Sequence, residues 1–482
     1  NNVVTWRSSG GVQLHRWRSA AVTIWFGLPV RIAAASNLKD LKRGDCKCGS
    51  ISEPGQIARL QIEDADDWAL PGKIRCPVVL EGLGRLPEWK KLAPFAEISR
   101  WERQAPTPLH FDASASGEFS YWDNNSLLAE HVRSAGVIEQ GYKKMLAPPE
   151  QFFNVFRGVR ARARTCKTEQ AQMMAVRYGA KMSFLVPKEV AAKVEKVVKE
   201  LGFFSDSPTQ PLLAWLSSAG SYSTAHYDNF HSAFVMLAGE KEFLLSPPSD
   251  LGYFHTYPGT HPMARQARRQ FGTAQCSSSQ QTNASVEVDS VDGAHVCTTV
   301  LKGKEALFLP AGWIHHVHAQ SASIALALTT LPWEFTSFNK WITDADEALP
   351  FLKSMEADWN TGLLTAALVH FVPALLQNLA FKLGTGDPLD ILFNRSYSEQ
   401  TLSELGMADA DVKVPACRAL PRSLRHGVAL AAKTVSDRFK GYSEDLLLLY
   451  LLPYLETILS KVAGPEQNPA AIMTIATKFA HR

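Results

Sequence analysis

Two short segments of the sequence contain residues whose types and spacing suit a metal ion. One segment holds a His-x-Asp pair, His226 and Asp228, and the other holds two adjacent histidines, His315 and His316. Residues i and i+2 of a strand face the same side, so we expect His226 and Asp228 to project together. A histidine from a second strand would complete a two-His, one-carboxylate triad, which leaves one face of an octahedral Fe(II) open.

His315 is the better choice for the third ligand because it directly follows Trp313 and Ile314. Its neighbour His316 would face the opposite side of the same strand. We therefore predict His226, Asp228 and His315 as the metal ligands and the catalytic centre.

Lys241 lies where a bound anion would need a cation. It follows the turn at Gly239 and Glu240 and opens the predicted strand Glu242–Leu245. A lysine that enters an apolar strand is costly unless its charge is paired, and a bound carboxylate is a suitable partner. In isolation, a lysine on an exposed edge would be the preferred explanation of the pattern. Beside the metal ligands, we predict that Lys241 binds an anionic cosubstrate.

The elements that must position these residues are short strands separated by Gly, Pro and Ser. They begin with the β-branched run after Cys76 and dominate the sequence from Leu212 to Leu331. Many short strands joined by tight turns favour an antiparallel sandwich or barrel. We predict a surface loop at Thr273–Ser290 and a helix at Lys188–Leu201. The predicted strands are Leu212–Leu216, Ala233–Leu237, Glu242–Leu245, Ala306–Leu309 and Ile324–Leu328.

After Pro332 the pattern becomes helical, with apolar stretches at Leu363–Leu379 and Leu446–Leu459. Leu446–Leu452 is apolar at every position, which is more than one helix face can bury, so we predict a partner surface and a possible homodimer. Trp359–Phe381 is the closest approach to a membrane span, but its internal polar residues favour a buried helix, and we predict no span.

The N-terminal region carries a basic bias. No acidic residue occurs before Asp40, and arginines lie among serines and apolar residues. This bias fits an organelle-targeting segment, Ala20–Val30 would also serve as a signal-peptide core, and a basic tail is a third possibility. The compartment therefore stays open between cytoplasm, nucleus and an organelle.

The composition is that of a soluble globular protein, with 46% hydrophobic and 20% charged residues in 482. Fifty basic and 47 acidic side chains nearly balance, so a dedicated nucleic-acid binder is not expected, although the four arginines of Arg157–Arg164 leave RNA open. The seven cysteines are an odd number and do not suggest a disulfide framework, so we predict that Cys46 and Cys48 are ordinary thiols.

Five motifs together resemble the JmjC-type cupin oxygenases, and within them the group of the factor-inhibiting asparaginyl hydroxylase. The resemblance covers residues 76 to 335 and extends weakly to the dimerising helices of that group over residues 440 to 480. The motifs are Ser223-Thr-Ala-His226-Tyr-Asp228, Gly239-Glu-Lys241, Ser246-Pro-Pro, Tyr257-Pro…His261-Pro-Met-Ala-Arg265-Gln266 and Leu309-Pro-Ala-Gly-Trp313-Ile-His315-His316.

The resemblance implies a mainly β fold, with a double-stranded β-helix (cupin) core, flanking helices and a helical C-terminal extension. We predict an irregular N-terminal segment at 1–70, an oxygenase domain at 71–335 and a helical region at 336–482. The cofactors implied are Fe(II) at the triad, 2-oxoglutarate as cosubstrate at Lys241, and O2.

The resemblance also implies further cosubstrate contacts. Ser223 stands where the family usually has a threonine, and Tyr178 corresponds loosely to a family tyrosine. Ser232 replaces a family asparagine, and a second, later asparagine falls at Thr329 or Thr330, of which we predict Thr330.

The activity implied is hydroxylation of a side chain on a protein substrate. N-methyl-lysine demethylation and RNA hydroxylation use the same iron chemistry and stay as alternatives. A third alternative is a degenerate cupin that binds a partner without turnover. The intact triad opposes that alternative, whereas the substitutions at Ser232 and Thr329 or Thr330 favour it.

Overall fold

A computed structural model describes about half of the chain, most of it between residues 46 and 332. The predicted helix Lys188–Leu201, the predicted loop Thr273–Ser290 and Tyr178 lie outside the described residues. The described residues are 46, 48–49, 53–61, 75–87, 89–105, 107–114, 117–126, 128–135, 142–157, 179–185, 212–259, 261–271, 291, 293–332, 370–371, 374–375, 378, 422–439, 449 and 456.

Two β-sheets form the centre of the fold. The six-stranded sheet has the order β1-β12-β11-β14-β9-β5, and the nine-stranded sheet has the order β2-β3-β13-β10-β15-β8-β7-β4-β6. Most neighbouring strands are antiparallel. The strands are β1 (Gly55–Gln56), β2 (Ala58–Gln61), β3 (Val78–Glu81), β4 (Leu109–Ser114), β5 (Glu118–Phe119), β6 (Lys143–Ala147), β7 (Gly179–Leu185), β8 (Leu213–Ser217), β9 (Tyr222–His226), β10 (His231–Ala238), β11 (Glu240–Ser246), β12 (Cys297–Lys302), β13 (Ala306–Leu309), β14 (Ile314–Ala319) and β15 (Ser323–Thr330).

Helices flank these sheets. Short 3-10 turns occur at Leu83–Arg85, Ala93–Ala96 and Pro248–Asp250. Among the helices described, none has the length and apolar character that crossing a bilayer requires. The α-helices are α1 (Trp89–Leu92), α2 (Ile98–Gln104), α3 (Ala129–Ala135), α4 (Pro149–Phe156), α5 (Leu251–Phe254) and α6 (Arg422–Phe439).

Strands β13 and β15 of the nine-stranded sheet are buried on both faces. On β13, Leu307 and Leu309 pack between the two sheets, whereas Phe308 packs on the other face against the cluster that holds Trp101 of α2 and Phe152 of α4. Strands buried on both faces have continuous apolar sequences rather than alternating ones. This explains why Ala306–Leu309 and Ile324–Leu328 could be predicted as strands, and the mainly β, cupin-like fold class is confirmed.

The N-terminal strap, which comprises the described residues 46, 48–49 and 53–61, belongs to the sandwich. Its β1 pairs in parallel with β12 of the six-stranded sheet, and its β2 pairs in parallel with β3 of the nine-stranded sheet. These strands lie inside the segment 1–70, for which irregular structure was predicted. Their brevity gave no periodic pattern to detect, because two and four residues are too few for an alternation.

The prediction that Cys46 and Cys48 are ordinary thiols is wrong. Cys46 forms a disulfide with Cys76, and Cys48 forms one with Cys297. The partners lie 30 and 249 residues away in sequence, a separation across which spacing carries no information about contact.

The C-terminal region is described in part, and each described position there is helical. Phe371 and Leu375, within the predicted buried helix Trp359–Phe381, are buried, as is Leu449 within Leu446–Leu459. The rest of these predicted helices lies outside the described residues. Dimerisation through them stays a prediction.

Candidate metal centre

His226, Asp228 and His315 lie together at the end of two neighbouring strands. Their ligand atoms all fall within 4.8 Å of one another, the only such group of three or more His, Cys, Asp or Glu residues in the described part of the chain. Nε2 of His315 is 3.8 Å from Oδ2 of Asp228, and the two imidazole centroids are 4.1 Å apart. This is the arrangement that a two-His, one-carboxylate metal site requires.

Strand register brings the two histidines together. His226 is the last residue of β9, and it is the cross-strand partner of His315 on β14. Asp228 lies two residues beyond the end of β9, so it projects from a loop and not from the strand that was predicted to hold it. The amide of Gly312 donates a 2.8 Å hydrogen bond to the Asp228 carbonyl. Gly312 has a φ of 84°, a conformation that favours glycine.

Backbone carbonyls orient both imidazoles. Nδ1 of His226 lies 2.7 Å from the Thr224 carbonyl, and Nδ1 of His315 lies 2.9 Å from the Trp313 carbonyl. A carbonyl only accepts, so each Nδ1 carries the proton and each Nε2 keeps a free electron pair for a metal. Such hydrogen bonds are the usual means of fixing a ligating histidine in one tautomer and one orientation.

Arg265 holds the carboxylate of Asp228. Its guanidinium donates a 3.0 Å hydrogen bond to Oδ1, while Oδ2 faces His315. Burial alone would raise the pKa of Asp228, but the neighbouring imidazoles and the Arg265 charge outweigh it and lower that pKa. The carboxyl group is therefore ionised, as a metal ligand must be.

The segment that contains Arg265 packs over the site. The amide of Tyr227 donates to the Arg265 carbonyl, and Gln266 forms an isolated bridge with His226. His261 is fully buried, stacks on Tyr257, and accepts a hydrogen bond from the Met263 amide through Nδ1.

A cavity of about 140 Å³ opens beside the ligands. It is smaller than the roughly 300–1,000 Å³ of drug-sized pockets, so it suits a small acid better than a nucleotide cofactor. Its apolar wall contains Leu213, Trp215, Phe230, Phe234 and Val317. Its polar wall contains Ser217, Ser221, Ser223, Ser232, Thr329 and Lys241.

Lys241 brings a buried positive charge into this cavity. Its side chain is 7% exposed, and its ammonium donates a 3.1 Å hydrogen bond to Oγ of Ser217. The turn that precedes it depends on Gly239, whose φ is 78° and where an added Cβ would lie 2.3 Å from the Ala322 carbonyl oxygen. The turn therefore sets the start of β11 and the position of Lys241.

The structure distinguishes among the other predicted cosubstrate residues. Ser223 lines the cavity, as does Thr329, whereas the predicted Thr330 does not. Neighbouring residues of β15 face opposite sides, so a prediction displaced by one residue selects the wrong face. Tyr178 cannot be placed, since it lies outside the described residues. His316 stacks on Tyr222, away from the metal ligands.

Sequence reasoning missed Ser217. It is the last residue of β8, and Leu213, Trp215 and Ser217 all line the cavity at alternate positions. The period of two was a usable signal, but the predicted strand ended at Leu216. Arg265 was quoted within a motif, although no role was predicted for it.

Ser232, where the resemblance implies an asparagine, is the cross-strand partner on β10 of Thr329 on β15, one of the two positions considered for the second asparagine. Both line the cavity. Ser232 is 1% exposed, and its Oγ has no hydrogen-bond partner among the described residues. A buried hydroxyl without a partner is costly, so this atom indicates a site for a polar ligand.

The residues present therefore fit both groups that the resemblance implies. Two imidazole Nε2 atoms and one carboxylate suit Fe(II), and no cysteine or third histidine joins them in the described residues. A buried ammonium and several hydroxyls in a small cavity suit a dicarboxylate such as 2-oxoglutarate.

Residues 150–329 match the family model of the cupin-like domain. Over 127 residues the chain is 26% identical to the human bifunctional peptidase and (3S)-lysyl hydroxylase JMJD7, covering 23% of this chain and 39% of that protein. Over 116 residues it is 28% identical to the lysine-specific demethylase JMJ31 of Arabidopsis thaliana, covering 23% of this chain and 19% of that protein. The chain thus spans well under half the length of each of these relatives.

Together with the sheets and the site, this match identifies residues 150–329 as a cupin-like domain and supports a JmjC-type cupin. The class suggested by the motifs is confirmed. Particular closeness to the asparaginyl hydroxylase group stays a prediction.

We predict that the buried His261 makes the stability of the fold sensitive to acid. Burial, assisted by the charge of Arg268, lowers its pKa to about 3. Below pH ~6.5 the unfolded chain protonates this histidine while the folded chain does not, so stability falls with pH by about 1.4 kcal/mol per unit. We expect His261→Phe to remove about 2 kcal/mol of the loss between pH 7 and pH 5, measured by denaturant unfolding. His426→Phe at an exposed position is the control, and an unchanged pH dependence in His261→Phe would contradict the assignment.

Proposed function

We propose that this chain is an Fe(II)- and 2-oxoglutarate-dependent oxygenase that hydroxylates a side chain of a protein substrate. The observation that carries the proposal is the meeting of the triad with the buried Lys241 in one small cavity. A metal site alone would suit many reactions. A metal site beside an anion site suits an enzyme that uses a keto acid to activate oxygen at iron.

When bound, iron and 2-oxoglutarate supply the oxidising chemistry that inserts one atom of O2 into a C–H bond. The chain's own residues hold and orient these groups. His226, Asp228 and His315 would bind the metal, and Arg265 would hold the Asp228 carboxylate in its ionised form. Lys241 and Ser217 would bind the far carboxylate of 2-oxoglutarate.

The apolar residues of the cavity have a second role. Trp215, Phe230 and Phe234 line one side of the site and would limit the access of bulk water. Exclusion of water strengthens the attraction between Lys241 and a carboxylate, and it protects an oxidising centre from side reactions.

A protein substrate is supported by the named activities of the relatives. One is named for lysyl hydroxylation and the other for lysine-specific demethylation. Both names describe reactions at a lysine, whereas the sequence resemblance to the asparaginyl hydroxylase group suggests an asparagine. The residue modified is an outcome of the experiment below.

The test is succinate formation by the purified chain with Fe(II), ascorbate and 2-oxoglutarate, first alone and then with a peptide library. We expect turnover that rises with some peptides, each gaining the mass of one oxygen atom. Release of formaldehyde from methylated lysine peptides would instead establish the demethylase alternative. Iron binding without turnover under any of these conditions would favour a binding module.

Ser232 offers a test of the cosubstrate site. Because its Oγ has no partner in the described structure, we expect Ser232→Ala to leave the melting temperature of the free protein unchanged or higher. The same variant should raise KM for 2-oxoglutarate by roughly three- to tenfold through the loss of one hydrogen bond.

Ser323→Ala is the matched control. Ser323 is equally buried, its Oγ is also without a partner in the described residues, and it does not line the cavity. A KM that does not change in Ser232→Ala, or that changes equally in Ser323→Ala, would contradict a cosubstrate role for Ser232.

A further inference from the structure

All four cysteines in the described part of the chain are disulfide-bonded. Cys46 pairs with Cys76, with 5.6 Å between the Cα atoms, and Cys48 pairs with Cys297, with 4.7 Å between them. Both separations are normal for a disulfide. Cys166, Cys276 and Cys417 lie outside the described residues.

The two disulfides attach the N-terminal strap to different sheets. Cys76 lies two residues before β3 of the nine-stranded sheet, and Cys297 is the first residue of β12 in the six-stranded sheet. Backbone hydrogen bonds in both directions between Gly49 and Val296 hold the strap beside Cys297. The pair Cys46 and Cys48, with one residue between them, therefore joins the two layers of the sandwich at one end.

We propose that these four cysteines are oxidised in the cell, and that the oxygenase domain folds and acts in an oxidising compartment. Disulfides persist in the secretory lumen and outside the cell and are rare where thiols are kept reduced. Cys76 and Cys297 are 1% and 2% exposed, whereas Cys46 and Cys48 are half-buried, so one sulfur of each bond is shielded from reductants once the domain has folded. A signal-peptide core at Ala20–Val30, one of the three interpretations of the N-terminal region, agrees with entry into such a compartment.

Each disulfide forms by thiol–disulfide exchange with an oxidised donor, such as glutathione disulfide or a disulfide oxidoreductase. One cysteine thiolate attacks the donor disulfide, and the second displaces the donor thiol from the mixed disulfide. Each pair of thiols loses two electrons and two protons, and the donor disulfide becomes two thiols.

A zinc site is the alternative for four neighbouring cysteines. Four thiolates around one zinc ion would bring all four sulfurs close together. In the described residues, the only group of three or more ligand atoms within 4.8 Å of one another is the His-Asp-His triad. The sulfurs are arranged as two bonded pairs and not as one cluster.

The Cys48–Cys297 bond lies in register with the metal ligands. Cys297 pairs with Leu245 on β11, Leu245 pairs with His315 on β14, and His315 pairs with His226 on β9. Two strand spacings, about 10 Å, separate Cys297 from His315. The bond therefore fixes one end of the series of cross-strand neighbours to which His315 and His226 belong. If the proposed function holds, substrates would be proteins of the same oxidising compartment.

The test is peptide mass analysis of the chain produced in a secretory lumen, alkylated and digested with trypsin without reductant. Trypsin cleaves after Lys47 and so separates Cys46 from Cys48. We expect peptide 44–47 linked to 76–85, and peptide 48–59 linked to 270–302. Four alkylated thiols, or four thiols with stoichiometric zinc, would overturn the proposal.

Peptide 270–302 also contains Cys276, so two variants assign its bond. Cys297→Ser should abolish the link to peptide 48–59, and the control Cys276→Ser should retain it. The opposite result would overturn the pairing.

The same chain produced in a reducing cytosol measures what the bonds contribute. With its cysteines reduced, it should melt roughly 5–15 °C lower than the oxidised chain. If the reduced and the oxidised chain melted at the same temperature, the domain would not need an oxidising compartment, and this result would overturn the proposal. Because linkage is read from peptide masses, failure here is distinguishable from an absence of succinate formation.

Discussion

His226→Ala is expected to lower succinate formation by about a thousandfold or more and to remove bound iron from the purified chain. Loss of one of three protein ligands leaves an incomplete coordination sphere, and the chemistry depends on the metal as well as on its position. Each tenfold loss of rate corresponds to about 1.4 kcal/mol, so the expected loss exceeds about 4 kcal/mol of transition-state stabilisation. The measurements are metal content and 2-oxoglutarate turnover on the same preparation.

His318→Ala is the matched control for this variant. His318 is also a histidine on β14, its ring lies beside Glu242, and it does not line the cavity. We expect this control to keep its iron and its turnover. Full activity in His226→Ala would contradict the proposed metal centre, and equal losses in both variants would indicate a general defect in the sheet.

Lys241→Met is expected to raise KM for 2-oxoglutarate by roughly tenfold to a hundredfold. A hydrogen bond to a charged group contributes about 1.5–3 kcal/mol, and methionine keeps the apolar stem while it removes the ammonium. Iron content should not change, because Lys241 does not belong to the ligand group. Saturation kinetics of succinate formation, with metal analysis of the same sample, separate the two effects.

Lys302→Met provides the comparison. Lys302 lies on the neighbouring strand β12 with a side chain 59% exposed, and it does not line the cavity. An unchanged KM in Lys241→Met would show that the cosubstrate binds elsewhere. A rise in both variants would point to a loss of overall positive charge and not to a specific anion site.

This chain has hydroxyl residues at two positions where the resemblance implies asparagines. We expect this difference to affect the KM for 2-oxoglutarate. Ser232 and Thr329 lie opposite each other and present hydroxyl groups to the cavity, whereas the resemblance implies amides at Ser232 and at Thr329 or Thr330. The metal ligands and Lys241 are unaffected by this change. We therefore expect the substitutions to alter cosubstrate affinity more than iron binding.

Much of the fold could be predicted from local sequence patterns. Ala306–Leu309 was predicted with its observed bounds, and β8, β10, β11 and β15 were each found within a few residues. The continuous apolar runs of β13 and β15 reflect burial on both faces, which is a local property of each strand. The strands β1 and β2 could not be found, because they are too short to carry a pattern.

The sequence alone was sufficient to choose His226, Asp228, His315 and Lys241 as site residues. Within each motif, the residue types and their close spacing indicate the chemistry that they could perform. The tertiary structure alone decided what depends on register and on distant partners. Register placed Thr329 in the cavity instead of Thr330, and folding brought Arg265 to Asp228 and Ser217 to Lys241. The same holds for Cys48 and Cys297, since contacts between residues far apart in sequence form only when the sheets assemble.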